Sequence, residues 1–163
     1  MALNRQEWIK VEGEPMANLL SMAVLILCLT IGSPAFARDT KHLLPIAIAM
    51  ETKDAQEKLD GSVKFYFGDQ LPPQVLTNLG SDVSNRKTNA LGKSDEKACN
   101  WAFLSAMVVL QTCAQQLGAN AVINIVSYYN KKVMSSASEF ECHAGAIIAG
   151  VALKGDFVKL ADG

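Results

Sequence analysis

Cysteine and histidine are the residues of this chain best equipped for chemistry, and they are few: Cys28, Cys99, Cys113, Cys142, His42 and His143. Cys142 and His143 adjoin. Together with Cys99, and with His42 as a fourth donor, they form the one set that a thiophilic metal could use. No CxxC or HxxxH spacing accompanies them. Successive residues of a strand face opposite ways, so Cys142 and His143 would not converge on one ion. A disulfide is the stronger reading, and a site built from Cys99, Cys142 and His143 that binds a metal or small ligand is the alternative. His143 by itself reads as a histidine on a sheet face. Residues 145–150 carry the G-x-x-x-x-G spacing of a phosphate loop, yet Val151 and Ala152 stand where Lys and Ser/Thr are required, so no nucleotide is expected. There is no G-x-S-x-G elbow for a nucleophilic serine. Asp54, Glu57, Asp60 and Asp69 are spaced like solvated loop acids. The expectation is a protein that is not an enzyme and uses no cofactor.

Composition narrows the classes further. The chain has 163 residues, half of them apolar, which fits one folded domain rather than a disordered chain. Its formal net charge is −1, so it has no basic surplus for nucleic acid. Residues 19–31 (LLSMAVLILCLTI) form an uncharged apolar run. It is short for a membrane span, which needs about 20 residues, and suits the centre of a secretory signal. Gly32, Ser33 and Pro34 break it, and Ala35-Phe36-Ala37 matches the A-x-A pattern of a cleavage site. We expect residues 1–37 to be an N-terminal extension and signal, cleaved after Ala37, with Met16 as an alternative start. Residues 38–163 form a single exported, periplasmic domain with no membrane span; an uncleaved anchor is the alternative. Cys28 sits after Leu25-Ile26-Leu27, bulkier than a lipid-anchoring signal wants. Export places the domain in an oxidising compartment, where a disulfide persists.

The elements that must position the cysteines follow from periodicity. The clearest is a helix over 95–117. Ser94 is its N-cap, Asp95 and Glu96 put negative charge on the positive end of its dipole, and Gly118 stops it. Cys99, Phe103, Ala106, Leu110, Cys113 and Leu117 recur at helical spacing and form the face that packs on a sheet. Strands are expected at 43–50, with Pro45 near its start, and at 62–67, where Val63, Phe65 and Phe67 alternate with Ser62, Lys64 and Tyr66. Strands are also expected at 121–129 and 140–153, with 155–160 extending the sheet. Residues 54–60 are polar and end at Gly61, a turn. Residues 68–93, rich in Gly, Pro, Asn and Ser, read as loop with one helical turn near 75–79. Residues 130–138 read as a hairpin tip. The expected fold is a two-layer α/β (α+β) domain, one long helix on a mostly antiparallel sheet of about four strands.

This layout chooses the disulfide. Cys99 and Cys113 lie about 21 Å apart on one helix at 1.5 Å per residue, and a bridge needs Cα atoms within about 7 Å. Cys142 must therefore be one partner. The strand after the helix runs back along it, about 26 Å of strand against about 27 Å of helix, so 128 returns to the helix N-terminus. The last strand starts there, and Cys142 at its start faces Cys99. The expected bridge is Cys99–Cys142, worth about 3–4 kcal/mol for a loop of about 44 residues, with Cys113 left as a buried free thiol. Trp101, Tyr128 and Tyr129 gather near the same end and, with Lys131 and Lys132 on the hairpin tip, are the candidate contacts for a protein partner or for self-association.

The stretch Leu117-Gly118-Ala119-Asn120-Ala121-Val122-Ile123-Asn124-Ile125 closes the helix and opens a strand, and the return strand carries Ala149-Gly150-Val151-Ala152-Leu153-Lys154. This pattern, over about residues 95–155, resembles the YbjQ-like and RcsF-like small domains. The resemblance implies a compact α/β domain, with metal binding and ring-like self-association on the YbjQ side. On the RcsF side it implies a disulfide-stabilised domain that signals through partners. RcsF-like domains are lipoproteins with more cysteines in the folded part, and here this chain departs from them. No catalytic motif carries over.

Overall fold

Ser94 starts the longest element: its hydroxyl accepts from the Lys97 N–H, and the chain then runs helically as α3, Asp95–Leu117. Gly118 ends it in the left-handed region at φ 72°, a conformation glycine adopts without steric cost. The computed structural model describes residues 38–161. The export signal, its cleavage point after Ala37 and Cys28 lie outside the described residues.

Ahead of α3 come β1 (Thr40–Pro45), the short helices α1 (Ile46–Met50) and α2 (Lys53–Lys58), β2 (Lys64–Phe67) and β3 (Val75–Asn89). After it come β4 (Ala121–Ser127), a 3-10 turn at Tyr129–Lys131, β5 (Glu139–Ala144) and β6 (Ile148–Leu160). The strands make one six-stranded sheet in the order β1-β5-β6-β4-β2, with β3 on β6. Among the described residues only the β2–β4 pair is parallel. β6 organises the sheet. One of its edges takes β3 along its whole length, and the other takes β5 at residues 149–150 and β4 at residues 153–158. The long helix therefore packs on a curled sheet, as expected, but the sheet has six strands rather than about four.

Four local expectations are corrected. Strand 43–50 ends at Pro45, and the chain turns helical at Ile46, whose N–H donates to the Ser138 carbonyl. Residues 53–58 are helix rather than polar coil, because Thr52 caps them by accepting from the Ala55 N–H. The return strand breaks at residues 145–147 into the β5–β6 hairpin, closed by Gly145 N–H to Ile148 O at 2.8 Å. The largest correction is β3. Its polar residues lack alternation because nearly all of them are exposed; only Ser84 is buried, and Leu79 packs against the core. The largely buried β6 supplies the ladder that propensity alone would deny these Asn and Ser residues.

The core lies between α3 and the sheet. Phe103 stacks on Phe140 with ring centroids 4.3 Å apart and reaches Phe67 at 6.1 Å. Cys99, Phe103, Ala106 and Leu110 of the expected helix face are buried, but Leu117 is 48% exposed. Toward the C-terminal end the buried sector rotates to Met107, Gln111 and Ala114, and Gln111 donates to the Lys58 carbonyl at the end of α2. Among the described residues Cys113 is the free thiol, half-buried rather than buried.

Candidate functional site

Alternation divides the paired strands β1 and β5 into two faces. His42 pairs with Cys142 across the strands. Cys142 lies fully buried in the core, and His42 Nε2 sits 3.1 Å from Asp95 Oδ2 at the start of α3. Arg38 donates to the other Asp95 oxygen at 2.6 Å and to the Gly145 carbonyl at 2.9 Å. The Arg38 guanidinium, with His42 adding to it, holds the Asp95 carboxyl below the ordinary carboxylate range. Cys142 is joined to Cys99 with Cα atoms 5.8 Å apart, so a covalent tie binds the second turn of α3 to β5.

The opposite face carries His143 and Glu141, two residues apart on β5. His143 Nδ1 is 2.9 Å from Asp39 Oδ1, and His143 Nε2 is 3.0 Å from Glu141 Oε1. Lys41, the β1 partner of His143, donates to Glu141 Oε2 at 2.6 Å. Burial alone would raise the Glu141 carboxyl, but the bonds from Lys41 and His143 outweigh it and hold the group below the usual carboxylate range. Tyr129 lies flat on the imidazole, centroids 3.5 Å apart and planes within 8°. Its hydroxyl reaches Asp39 Oδ2 at 3.4 Å. Burial, with Asp39 alongside, pushes the Tyr129 hydroxyl up. The tight turn at Tyr129–Lys131, with Asn130 and Lys131 at positive φ, presents that ring to β5.

His143, Tyr129 and Asp39 form one wall of a cleft of about 470 Å³, completed by Arg38, Lys87 of β3 and the 145–148 turn. Both nitrogens of His143 are engaged. In this arrangement the ring has no lone pair free for a metal and no free base for a substrate. Cys99 and Cys142 hold each other, and His143 faces away from them, so the trio weighed as a ligand set is not brought together. The described residues contain no group of three or more His, Cys, Asp or Glu placed to hold a metal ion.

The candidate contact residues divide. Tyr129, Lys131 and Lys132 share the hairpin tip, where both lysines are exposed. Tyr128 is half-buried, its N–H donating to the Ala152 carbonyl and its ring lying 5.6 Å from Lys154 Nζ. Trp101 belongs to a second cleft, about 330 Å³, formed by α3 residues such as Lys97, Asn100 and Leu104 with Thr52 and Asp54. Sequence reasoning missed Arg38, Asp39, Lys41, Asp95 and Glu141. Their signal was the two-residue spacing of Asp39 with Lys41 and of Glu141 with His143, which puts alternating charge on one sheet face. No protein-family model matches the chain, and neither a curated protein nor a solved structure matches it.

Proposed function

We propose that this chain is an exported, non-enzymatic protein that works by binding a partner or sensing conditions in the cell envelope. Its fold is held by the Cys99–Cys142 bridge. The observation that carries the reading is this bridge, buried at both ends and joining elements far apart in sequence. Such a tie is at home in an oxidising compartment, to which the apolar run at 19–31 and the A-x-A pattern at 35–37 would deliver it. The resemblance to YbjQ-like and RcsF-like domains supports the same reading. The hairpin tip, with Lys131 and Lys132 beside Tyr129, is the contact surface we assign. No helix of the described residues is long and apolar enough to cross a membrane.

The reading is tested by expressing the full chain beside a variant lacking residues 19–31 and following both through cell fractionation with thiol trapping. The full chain is expected in the periplasmic fraction with Cys99 and Cys142 blocked to alkylation. The deletion variant is expected in the cytoplasm with both thiols reactive. Equal distribution of the two proteins would remove the basis for export.

A further inference from the structure

We propose that His143 is a proton-operated latch that fastens the Tyr129–Lys131 turn and the 38–39 segment to β5. The latch deepens the sensing half of the reading above. The geometry that carries it is the placement of one imidazole between two carboxylates, Asp39 at 2.9 Å on Nδ1 and Glu141 at 3.0 Å on Nε2. A carboxylate only accepts, so both bonds exist together only while both ring nitrogens bear protons. The neutral ring has one N–H. Losing the proton turns one of the two contacts into a lone pair facing a carboxylate, which repels.

Every charged group around the ring bears on the same event. Asp39 from the N-terminal segment and Glu141 from β5 face its two nitrogens. Lys41 of β1 is engaged by Glu141 at 2.6 Å. Arg38 is engaged by Asp95 and the Gly145 carbonyl. Lys87 of β3 lines the far side of the cleft. Tyr129 covers the ring face, and an aromatic ring stacked on a cation gains electrostatically. Tyr129 loses that gain together with the bond from its hydroxyl to Asp39 when the latch opens. Because Asp39, Tyr129 and His143 are one wall of the cleft, opening the latch changes the shape that the cleft presents. Histidine is the side chain whose charge ordinarily changes between about pH 5 and 8.

The test uses the purified, oxidised full chain, so it stands or falls separately from where the protein resides. The ring resonances of His42 and His143 are followed by NMR from pH 5 to 9, together with hydrogen exchange at the Lys132 amide, which donates to the Tyr129 carbonyl across the turn. Protection of Lys132 is expected to fall about tenfold between the acidic and alkaline ends, the weight of one charge-assisted hydrogen bond, with a midpoint matching His143. His143→Gln is expected to show the low protection at every pH. Constant protection in the wild-type chain, a midpoint matching His42 alone, or a pH dependence that survives His143→Gln would overturn the proposal. If His143→Gln does not fold, the match between the Lys132 midpoint and the two ring titrations in the wild-type chain decides by itself.

Discussion

Removing the Cys99–Cys142 bridge is the most informative perturbation of this fold. The two residues are 43 apart in sequence, and the bond closes the loop that contains most of α3, all of β4 and the hairpin tip. In the chain-entropy model a loop of that size contributes about 4 kcal/mol, because the unfolded chain can no longer separate the two ends. Both side chains are fully buried, so the double variant Cys99→Ala/Cys142→Ala also gives up about 1 kcal/mol of sulfur packing. Urea unfolding of the oxidised wild type, the reduced wild type and the double variant separates these terms. The reduced wild type should lose about 4 kcal/mol, and the double variant about 1 kcal/mol more. The denaturant slope should rise in both, since an uncrosslinked chain exposes more surface on unfolding. A loss below about 1 kcal/mol on reduction, with no change in slope, would refute the reasoning, because the bridge would then constrain nothing the unfolded chain explores.

Other expectations follow from single sites. Ser94→Ala removes the acceptor for the Lys97 N–H and should cost about 1 kcal/mol in thermal or urea unfolding, whereas Ser94→Asp should retain most of it. Gly68→Ala places a methyl 2.7 Å from the Ser136 carbonyl carbon at a residue with φ 57°, so it should destabilise by about 2 kcal/mol and disturb the amides of 134–138 in NMR spectra. Glu141 has a folded-state carboxyl held below its ordinary range, so the stability it contributes is present above that range and is lost as the pH falls through the folded value. Urea midpoints from neutral to acid pH should therefore fall more steeply for the wild type than for Glu141→Gln, and parallel curves would count against the Lys41–Glu141–His143 arrangement.

The sequence was most legible where several local signals agreed. Helix α3 had a cap, acidic first-turn residues, an apolar stripe and a stopping glycine, and its bounds were read correctly. The disulfide was legible because helix length and strand length are fixed by geometry, leaving Cys142 only one partner within reach. β3 was illegible because its stability comes from β6, a partner distant in sequence, and its own exposed Thr, Asn and Ser residues carry no period. The break at 145–147 was hidden because Ala144, Gly145 and Ala146 read equally well as strand or turn. The charged cluster was missed for a different reason. Asp39 and Lys41 reach Glu141 and His143 only through the β1–β5 register, and nothing local specifies that register.

The measurement that bears most directly on the account is peptide mapping by mass spectrometry of the protein recovered from its native cell fraction, alkylated before any reductant is added. The account predicts a chain beginning at Arg38, a linked peptide pair containing Cys99 and Cys142, and alkylation at Cys113 alone. A chain that retains residues 1–37 with Cys99 and Cys142 both alkylated, or a bridge involving Cys113, would contradict it.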